Sequence, residues 1–189
     1  MKIPVEVSAR HVHLSKEAID ALFGKDYDLT PKKPLSQPGQ FACEERVDIV
    51  GPKETLKNVA VLGPARKNTQ AEISLTDSIK IGVGGMIRES GDLVESAGCT
   101  LIGPAGEYKI NEGLIISKRH IHITPEDANK LSVKDGQIAK VKIISHGRSL
   151  TYDDVVIRVS ENFSLAMHID TDEANALNYQ QGLIGEIIS

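Results

Sequence analysis

The sequence has no tryptophan, few other aromatic residues and only two cysteines. Its 189 residues include three Phe and four Tyr, and the two cysteines are Cys43 and Cys99. The two cysteines lie far apart without CxxC spacing, which argues against a zinc ribbon or a disulfide framework and is typical of a reducing compartment. No run of about 18 apolar residues occurs, so no membrane span is predicted. Residues 2–7 lack the apolar core of a signal peptide.

Charge and size narrow the class further. There are 22 basic and 26 acidic residues, which gives a net charge of −4 without a basic run. A chain with this charge has little basic surface for binding nucleic acid, so we expect no nucleic-acid partner. We also expect no membrane partner. The length fits one large domain or two small ones, with a core that needs no disulfide bonds.

Short runs rich in Ile and Val dominate the chain, and 16 Gly and 8 Pro interrupt them. Beta-branched residues in short runs favour strands, and Gly-Pro pairs favour turns between them. The predicted fold is therefore all-β, of the small-barrel or sandwich type. The strand candidates are Ile3–Val7, Arg46–Val50, Val59–Leu62, Gln70–Leu75, Thr100–Ile102, Leu114–Ser117, Ala139–Ile144, Asp154–Val159 and Ser164–Ile169.

Helical signals are few and each follows a capping residue. Three short helices are predicted: Lys16–Phe23 after Ser15, Pro125–Leu131 after Thr124, and a helix through Ala176 after Asp170. Residues 26–40 contain three prolines and a glycine, and they predict an irregular loop.

An internal repeat is the most informative feature. Residues 8–17 read SARHVHLSKE and residues 117–126 read SKRHIHITPE, so Ser, Arg, both His and Glu recur at one offset. Each copy leads through His-x-His into a capped helix. The repeat predicts two similar units, each well under 110 residues.

The two His-x-His pairs suggest metal binding. On a strand, residues i and i+2 share a face about 6.6–6.8 Å apart, so both imidazoles can reach one ion. Imidazole suits Zn, Co, Ni or Fe(II). The alternative is that the histidines face solvent or bond to backbone near the helices. Arg10 and Arg119 precede the pairs on the opposite strand face. A solvated or structural role for them is as open as a functional one.

Three further residues are ambiguous on local pattern. His168 lies off the apolar stripe just before a capped helix, so it is either a helix-entry residue or a ligand. Glu72 alternates with apolar neighbours, which is typical of a solvated strand residue but also suits an oxygen ligand. Arg66 lies on what we expect to be a hairpin-like loop, where a surface residue is the plain interpretation.

Together these segments resemble the PduL-like phosphotransacylases, also called phosphate propanoyltransferases. The resemblance runs in order along essentially the whole chain. It is carried by SARHVHLS (8–15), VLGPAR (61–66), TQAEIS (69–74), SKRHIHITP (117–125) and HIDTDEAN (168–175).

The resemblance implies two small six-stranded β-barrels with short helices and a two-metal site between them. It also implies that the first strand is swapped into the barrel of the C-terminal half. The domains would be residues 1–9 plus 118–189, and residues 10–117. Two divalent metal ions, usually zinc, would each have three ligands: His11, His13 and Glu72 for one, and His120, His122 and His168 for the other.

The resemblance also implies an enzyme that interconverts a short-chain acyl-CoA plus phosphate with acyl phosphate plus CoA. Arg66 would bind phosphate. A metal can orient phosphate and polarise the thioester carbonyl without a protein nucleophile, so we expect metal-bound phosphate to attack directly rather than through an acyl-enzyme. The family's contacts to CoA would fall near Ser8, Lys33, Leu62 and Asn175. The partners are thus acyl-CoA and phosphate, and a homo-oligomer is compatible with the sequence.

Two other functions fit the same residues. A dinuclear metallohydrolase would use water in place of phosphate, and a double barrel could bind metal without catalysis. Many members of the family have an N-terminal extension that directs them into a bacterial microcompartment. No such extension precedes Ile3 here, so we expect a cytoplasmic enzyme rather than an encapsulated one.

Overall fold

The computed structural model describes residues 2–188 and is built mainly from short strands. The strands are β1 Ile3–Val7, β2 His11–His13, β3 Pro31–Pro34, β4 Phe41–Val50, β5 Thr55–Gly63, β6 Gln70–Ile73, β7 Ile87–Arg88, β8 Ala97–Ile102, β9 Glu107–Ser117, β10 His120–Ile123, β11 Ile138–Ile143, β12 Leu150–Val159, β13 Ala166–Ile169 and β14 Ile184–Ile188. The helices are α1 Lys16–Phe23, α2 Leu75–Ile81, α3 Pro125–Leu131 and α4 Thr171–Leu177.

The chain folds into two compact units. Unit 1 contains residues 2–8, Ser36–Pro38 and residues 118–188, and unit 2 contains Ala9–Leu35 and Gly39–Ser117. The short insertion Ser36–Pro38 in unit 1 is a feature that the repeat does not indicate. The domain boundaries after residues 9 and 117 stay a prediction.

Unit 1 is a closed barrel with strand order β1-β13-β10-β12-β11-β14. The first strand runs parallel to β13, with Val5 opposite Met167, and antiparallel to β14, with Ile3 opposite Gly185. The predicted swap of the first strand into the C-terminal barrel is confirmed.

Apolar side chains at alternate strand positions form the core of this barrel. Along β11, Ala139, Val141 and Ile143 are buried while the intervening residues are exposed, as expected of a strand with one face on a core. Other strands add fully buried branched residues to the same core, among them Ile3, Ile121, Ile123, Val155, Ile157 and Ile169.

Unit 2 is also a six-stranded ring, with two additional strands at its edges. The ring runs β4-β5-β2-β6-β9-β8, and β8 closes it by pairing with both β9 and β4. Strand β3 pairs outside it with β4, and β7 pairs with β9. The predicted fold class, two small barrels with short helices, is therefore confirmed.

Local patterns predicted the three capped helices well. Helices α1 and α3 have the predicted bounds, and α4 ends one residue later than predicted. Asp170 and Glu173 form the full capping box at the start of α4, because each side chain accepts from the other's backbone N–H.

Three local predictions were wrong. Residues 26–40 contain the strand β3, and the predicted strand Gln70–Leu75 stops at Ile73 because Ser74 caps the unpredicted helix α2. The loop holding Arg66 is not a hairpin, since β2 lies between β5 and β6. Instead the loop crosses the end of β2, where the Arg66 backbone N–H donates to the Leu14 carbonyl at 2.8 Å.

No helix within residues 2–188 has both the length and the apolar character needed to cross a membrane.

Candidate metal centres

Unit 2 brings His11, His13 and Glu72 together. Strand β6 runs antiparallel to β2 and places Glu72 opposite His11. The residue between the histidines, Val12, is in the core, so the histidines occupy the other face of their strand. One ligand atom from each residue lies within 4.8 Å of the others, and all three residues are buried. The expectation from local pattern that Glu72 is solvated is therefore wrong.

The electrostatics of this group centre on the carboxylate. The Nε2 atoms of His11 and His13 lie 3.6 and 3.9 Å from Oε1 of Glu72. Burial acts to lower the pKa of His11, but attraction and hydrogen bonding to Glu72 outweigh it, and the net pKa of His11 is raised. Burial would raise the pKa of Glu72, but the two histidines hold it well below its usual range.

His13 is electrostatically different from His11. Burial, followed by the positive charges of His11 and Arg66, lowers the pKa of His13 to about 3. His13 is therefore a neutral imidazole at physiological pH, which is the form that binds a metal ion.

Ser90 links Arg66 to the triad in unit 2. Arg66 Nη1 donates to Ser90 Oγ at 3.3 Å, and Ser90 Oγ donates to Glu72 Oε1 at 2.8 Å. Gln70 donates both to Ser90 Oγ at 2.9 Å and to Glu72 Oε1 at 2.5 Å. Ser90 thus connects the guanidinium to the carboxylate, and Gln70 bonds to both Ser90 and Glu72. Ser90 is a site residue that sequence reasoning missed.

Unit 1 brings His120, His122 and His168 together in the same way. Strand β13 runs antiparallel to β10 and places His168 opposite His120. The ligand nitrogens lie within 4.8 Å of one another. The ring centroids of His168 lie 5.2 Å from His120 and 4.9 Å from His122.

Three further segments contribute side chains beside the unit 1 triad. The Phe163 ring stacks on His122, with centroids 4.0 Å apart. Gln37 is buried, with its Nε2 3.5 Å from Nε2 of His168, and Oε2 of Glu6 lies 3.8 Å from Nδ1 of His168. Sequence reasoning missed Gln37, because the turn that carries it lies about 130 residues from its partners.

Both triads fit a divalent metal ion. Two imidazoles with one carboxylate, and three imidazoles, are donor sets that zinc uses when one position stays open for substrate. Nδ1 of His11 lies 2.8 Å from the Ala9 carbonyl, and Nδ1 of His120 lies 2.8 Å from the Lys118 carbonyl. Such a contact fixes Nδ1–H as the donor and leaves Nε2 as the lone-pair atom, which is typical of metal-binding histidines.

The residues expected near CoA fall in both units. Ser8 and Asn175 belong to unit 1, where the Ser8 backbone N–H donates to the Ile169 carbonyl at 2.8 Å and Asn175 lies on α4. Lys33 and Leu62 belong to unit 2, where Lys33 is exposed on β3 and Leu62 pairs with His13 across β5 and β2.

The fold and these sites define a duplicated double-barrel protein with one candidate metal centre in each unit. The family model for phosphate propanoyltransferase matches residues 4–180. The chain is 56% identical to the phosphate propanoyltransferase of Leptotrichia buccalis, over 97% of this chain and 86% of the relative. Against the Clostridioides difficile enzyme of the same name, the identity is 53% over 98% of this chain and 88% of the relative.

A third relative, the phosphate propanoyltransferase of Thermotoga maritima, is 54% identical over 95% of this chain and 86% of its own length. The chain belongs to the phosphate propanoyltransferase family. The resemblance stated from the sequence motifs is confirmed, and so is the enzyme class, an acyltransferase.

Proposed function

We propose that the protein transfers a short acyl group, acetyl or propanoyl, between CoA and phosphate. In this reaction a phosphate oxygen attacks the thioester carbonyl carbon. The new C–O bond gives the acyl phosphate, and the C–S bond breaks to release CoA as its thiolate. The observation that carries the proposal is the placement of Arg66 beside the Glu72 triad in a chain of this family.

Arg66 supplies the phosphate-binding group in this proposal. A planar guanidinium donates two parallel hydrogen bonds to phosphate oxygens, and Ser90 restrains one of its nitrogens. When bound to the two triads, divalent ions, of which zinc fits the donor sets, would orient phosphate oxygens and polarise the thioester carbonyl. His11, His13, Glu72, His120, His122 and His168 would hold them.

Attack by phosphate itself, without an acyl-enzyme, agrees with the state of the cysteines. Cys43 and Cys99 are both buried, and burial raises the pKa of the Cys43 thiol to about 11 and that of Cys99 to about 12. A thiol with such a pKa carries almost no thiolate at neutral pH, and the thiolate is the nucleophile.

The four residues Ser8, Lys33, Leu62 and Asn175 are proposed to contact CoA. Lys33 is the charged member and is exposed, so it is available to the phosphate groups of that ligand. Replacing Lys33 with Ala should raise the KM for propanoyl-CoA while the KM for phosphate stays near the wild-type value. Lys109, an exposed lysine on β9, serves as the matched control.

Trapping the product tests the proposal. Protein incubated with zinc, propanoyl-CoA and phosphate should form propanoyl phosphate, which hydroxylamine converts to a coloured hydroxamate. Omitting phosphate should abolish both the hydroxamate and the release of CoA. CoA release at the same rate without phosphate would identify a hydrolase instead, and no turnover under any condition would identify a binding protein.

A further inference from the structure

Each unit contains an ion pair between the arginine that precedes its His-x-His and an acid on a helix. In unit 2, Arg10 Nη2 lies 2.7 Å from Oδ1 of Asp77. In unit 1, Arg119 Nη1 lies 2.6 Å from Oε1 of Glu173. The two arginines occupy the same position of the internal repeat, so the pairing is duplicated with it.

The acids are equivalent as well. Asp77 is the third residue of α2 and Glu173 is the third residue of α4. Each helix starts just after the strand that carries the third ligand, because Ser74 caps α2 two residues after Glu72 and Asp170 caps α4 two residues after His168. Each ion pair therefore ties a His-x-His segment to the segment of the third ligand.

In each repeat the arginine also lies, along the chain, between the two residues whose contact orients the first histidine. In unit 2, Arg10 lies between Ala9, whose carbonyl meets Nδ1 of His11, and His11 itself. In unit 1, Arg119 lies between Lys118, whose carbonyl meets Nδ1 of His120, and His120. Movement of the arginine would move that carbonyl, and with it the imidazole that the carbonyl orients.

In unit 2 the acidic partner is buried, so its carboxylate depends on the arginine for a counter-charge. The Asp77 side chain is 3% exposed, and within residues 2–188 its Oδ2 has no hydrogen-bond partner. Without Arg10, a buried carboxylate would remain with that counter-charge removed, which favours rearrangement of α2. The Arg10 side chain is 42% exposed, so its removal opens no cavity in the core.

We propose that Arg10 with Asp77, and Arg119 with Glu173, are positioning pairs that hold the ligands of their own triad in metal-binding geometry. None of these four residues belongs to either triad. This inference rests on the proposed function only in taking the triads as metal sites. Each pair acts on the site of its own unit, and that locality separates positioning from general stabilisation.

The test measures the zinc affinity of the unit 2 triad alone. In a His122→Ala background that triad is the remaining site, and its zinc dissociation constant is measured by competition with a chromogenic chelator. Arg10→Ala and Asp77→Asn should each weaken zinc binding by about ten- to a hundredfold. The double variant should be no weaker than the worse single variant, because both remove one interaction. Arg10→Lys should restore part of the loss.

Two readouts distinguish positioning from a structural role. The visible spectrum of the cobalt-substituted site should change in Arg10→Ala, whereas Arg119→Ala in the same background should leave both the spectrum and the zinc affinity unchanged. A lower melting temperature with an unchanged zinc affinity and cobalt spectrum would overturn the inference. An equal loss of affinity in Arg119→Ala would overturn it too.

The outcome also separates this inference from the proposed function. Wild-type protein that binds zinc but forms no acyl phosphate would refute the acyl transfer while the affinity measurements still decide the role of Arg10. Wild-type protein that binds no divalent ion would contradict the inference itself.

Discussion

Glu72 and His168 occupy equivalent positions in the two barrels. Glu72 lies opposite the first histidine of its pair across β2 and β6, and His168 does the same across β10 and β13. The duplicated scaffold thus presents a carboxylate in one unit and an imidazole in the other. A divalent ion would keep a charge of about +1 with the first donor set and +2 with the second, so the two centres are not interchangeable.

The side chains beside the two triads also differ. The connection after β5 brings Arg66 to the unit 2 triad, whereas the connection after β12 brings the Phe163 ring against His122. The unit 2 triad therefore has a cation beside it that suits an anion such as phosphate. The unit 1 triad has an aromatic ring, a buried amide and a carboxylate beside it.

The first prediction concerns the metal content. His122→Ala removes one of three donors from the unit 1 triad and should remove most of one of two metal equivalents, together with nearly all activity. Elemental analysis of the purified variant checks this. His146→Ala, at an exposed turn position, should keep both equivalents, and an unchanged metal content in His122→Ala would contradict the assignment.

The second prediction concerns the charge and shape of Arg66. Arg66→Lys keeps the charge but loses the two-pronged donor, so it should cost roughly 1.5–3 kcal/mol, or about ten- to a hundredfold, in kcat/KM for phosphate. Arg66→Ala should be no better. Kinetics at varied phosphate concentration measure the effect, with Arg148→Lys, an exposed arginine in a turn, as the control.

The metal content and CoA binding of both Arg66 variants should stay close to those of the wild type. Wild-type phosphate kinetics in both variants would remove Arg66 from the account.

The third prediction concerns the pH dependence of the metal-free protein. Burial acts to lower the pKa of His11, but Glu72 raises it in the folded state above the ordinary 6.5. The pKa of Glu72 itself is well below 4.5. The stability due to His11 is then fully present below pH 6.5 and is lost as pH rises through the raised value. The part due to Glu72 is present above pH 4.5 and is lost on acidification.

The free energy of unfolding lost in His11→Gln should therefore be largest between about pH 4.5 and 6.5. Urea denaturation of the metal-free wild type and variant at several pH values measures it. If the free energy of unfolding lost in His11→Gln instead grew from pH 6.5 to pH 9, attraction between His11 and Glu72 would not be what stabilises the folded state.

The fourth prediction concerns the absence of an acyl-enzyme through cysteine. A variant with both Cys43→Ala and Cys99→Ala should keep its phosphate-dependent activity, because burial keeps both groups as thiols. Removing the buried sulfurs should cost stability, so thermal unfolding is recorded beside the kinetics. A folded double variant without activity would point to a cysteine nucleophile.

Much of this architecture follows from local sequence. The bounds of α1 and α3 follow from Ser15 and Thr124 as caps, and the repeat of His-x-His indicates both histidine pairs. Helix α2 was missed because Gln70–Leu75 has a strand-like alternation that outweighs the capping signal of Ser74.

Other features depend on contacts between distant segments. Glu72 has the local pattern of a solvated residue, yet it is buried because β6 lies between β2 and β9. Ser90 lies in a loop with no periodic pattern, and the contact that defines its role joins it to Glu72, 18 residues earlier in the chain. Alternation along a single strand carries no information of this kind.

The most direct test of the account is a metal titration of the metal-free protein. Zinc is added in steps while bound zinc and phosphate-dependent CoA release from propanoyl-CoA are measured on the same samples. Binding should saturate at two zinc ions per chain, with activity absent from the metal-free protein and maximal when both triads are filled. Full activity in protein free of any divalent ion would contradict it.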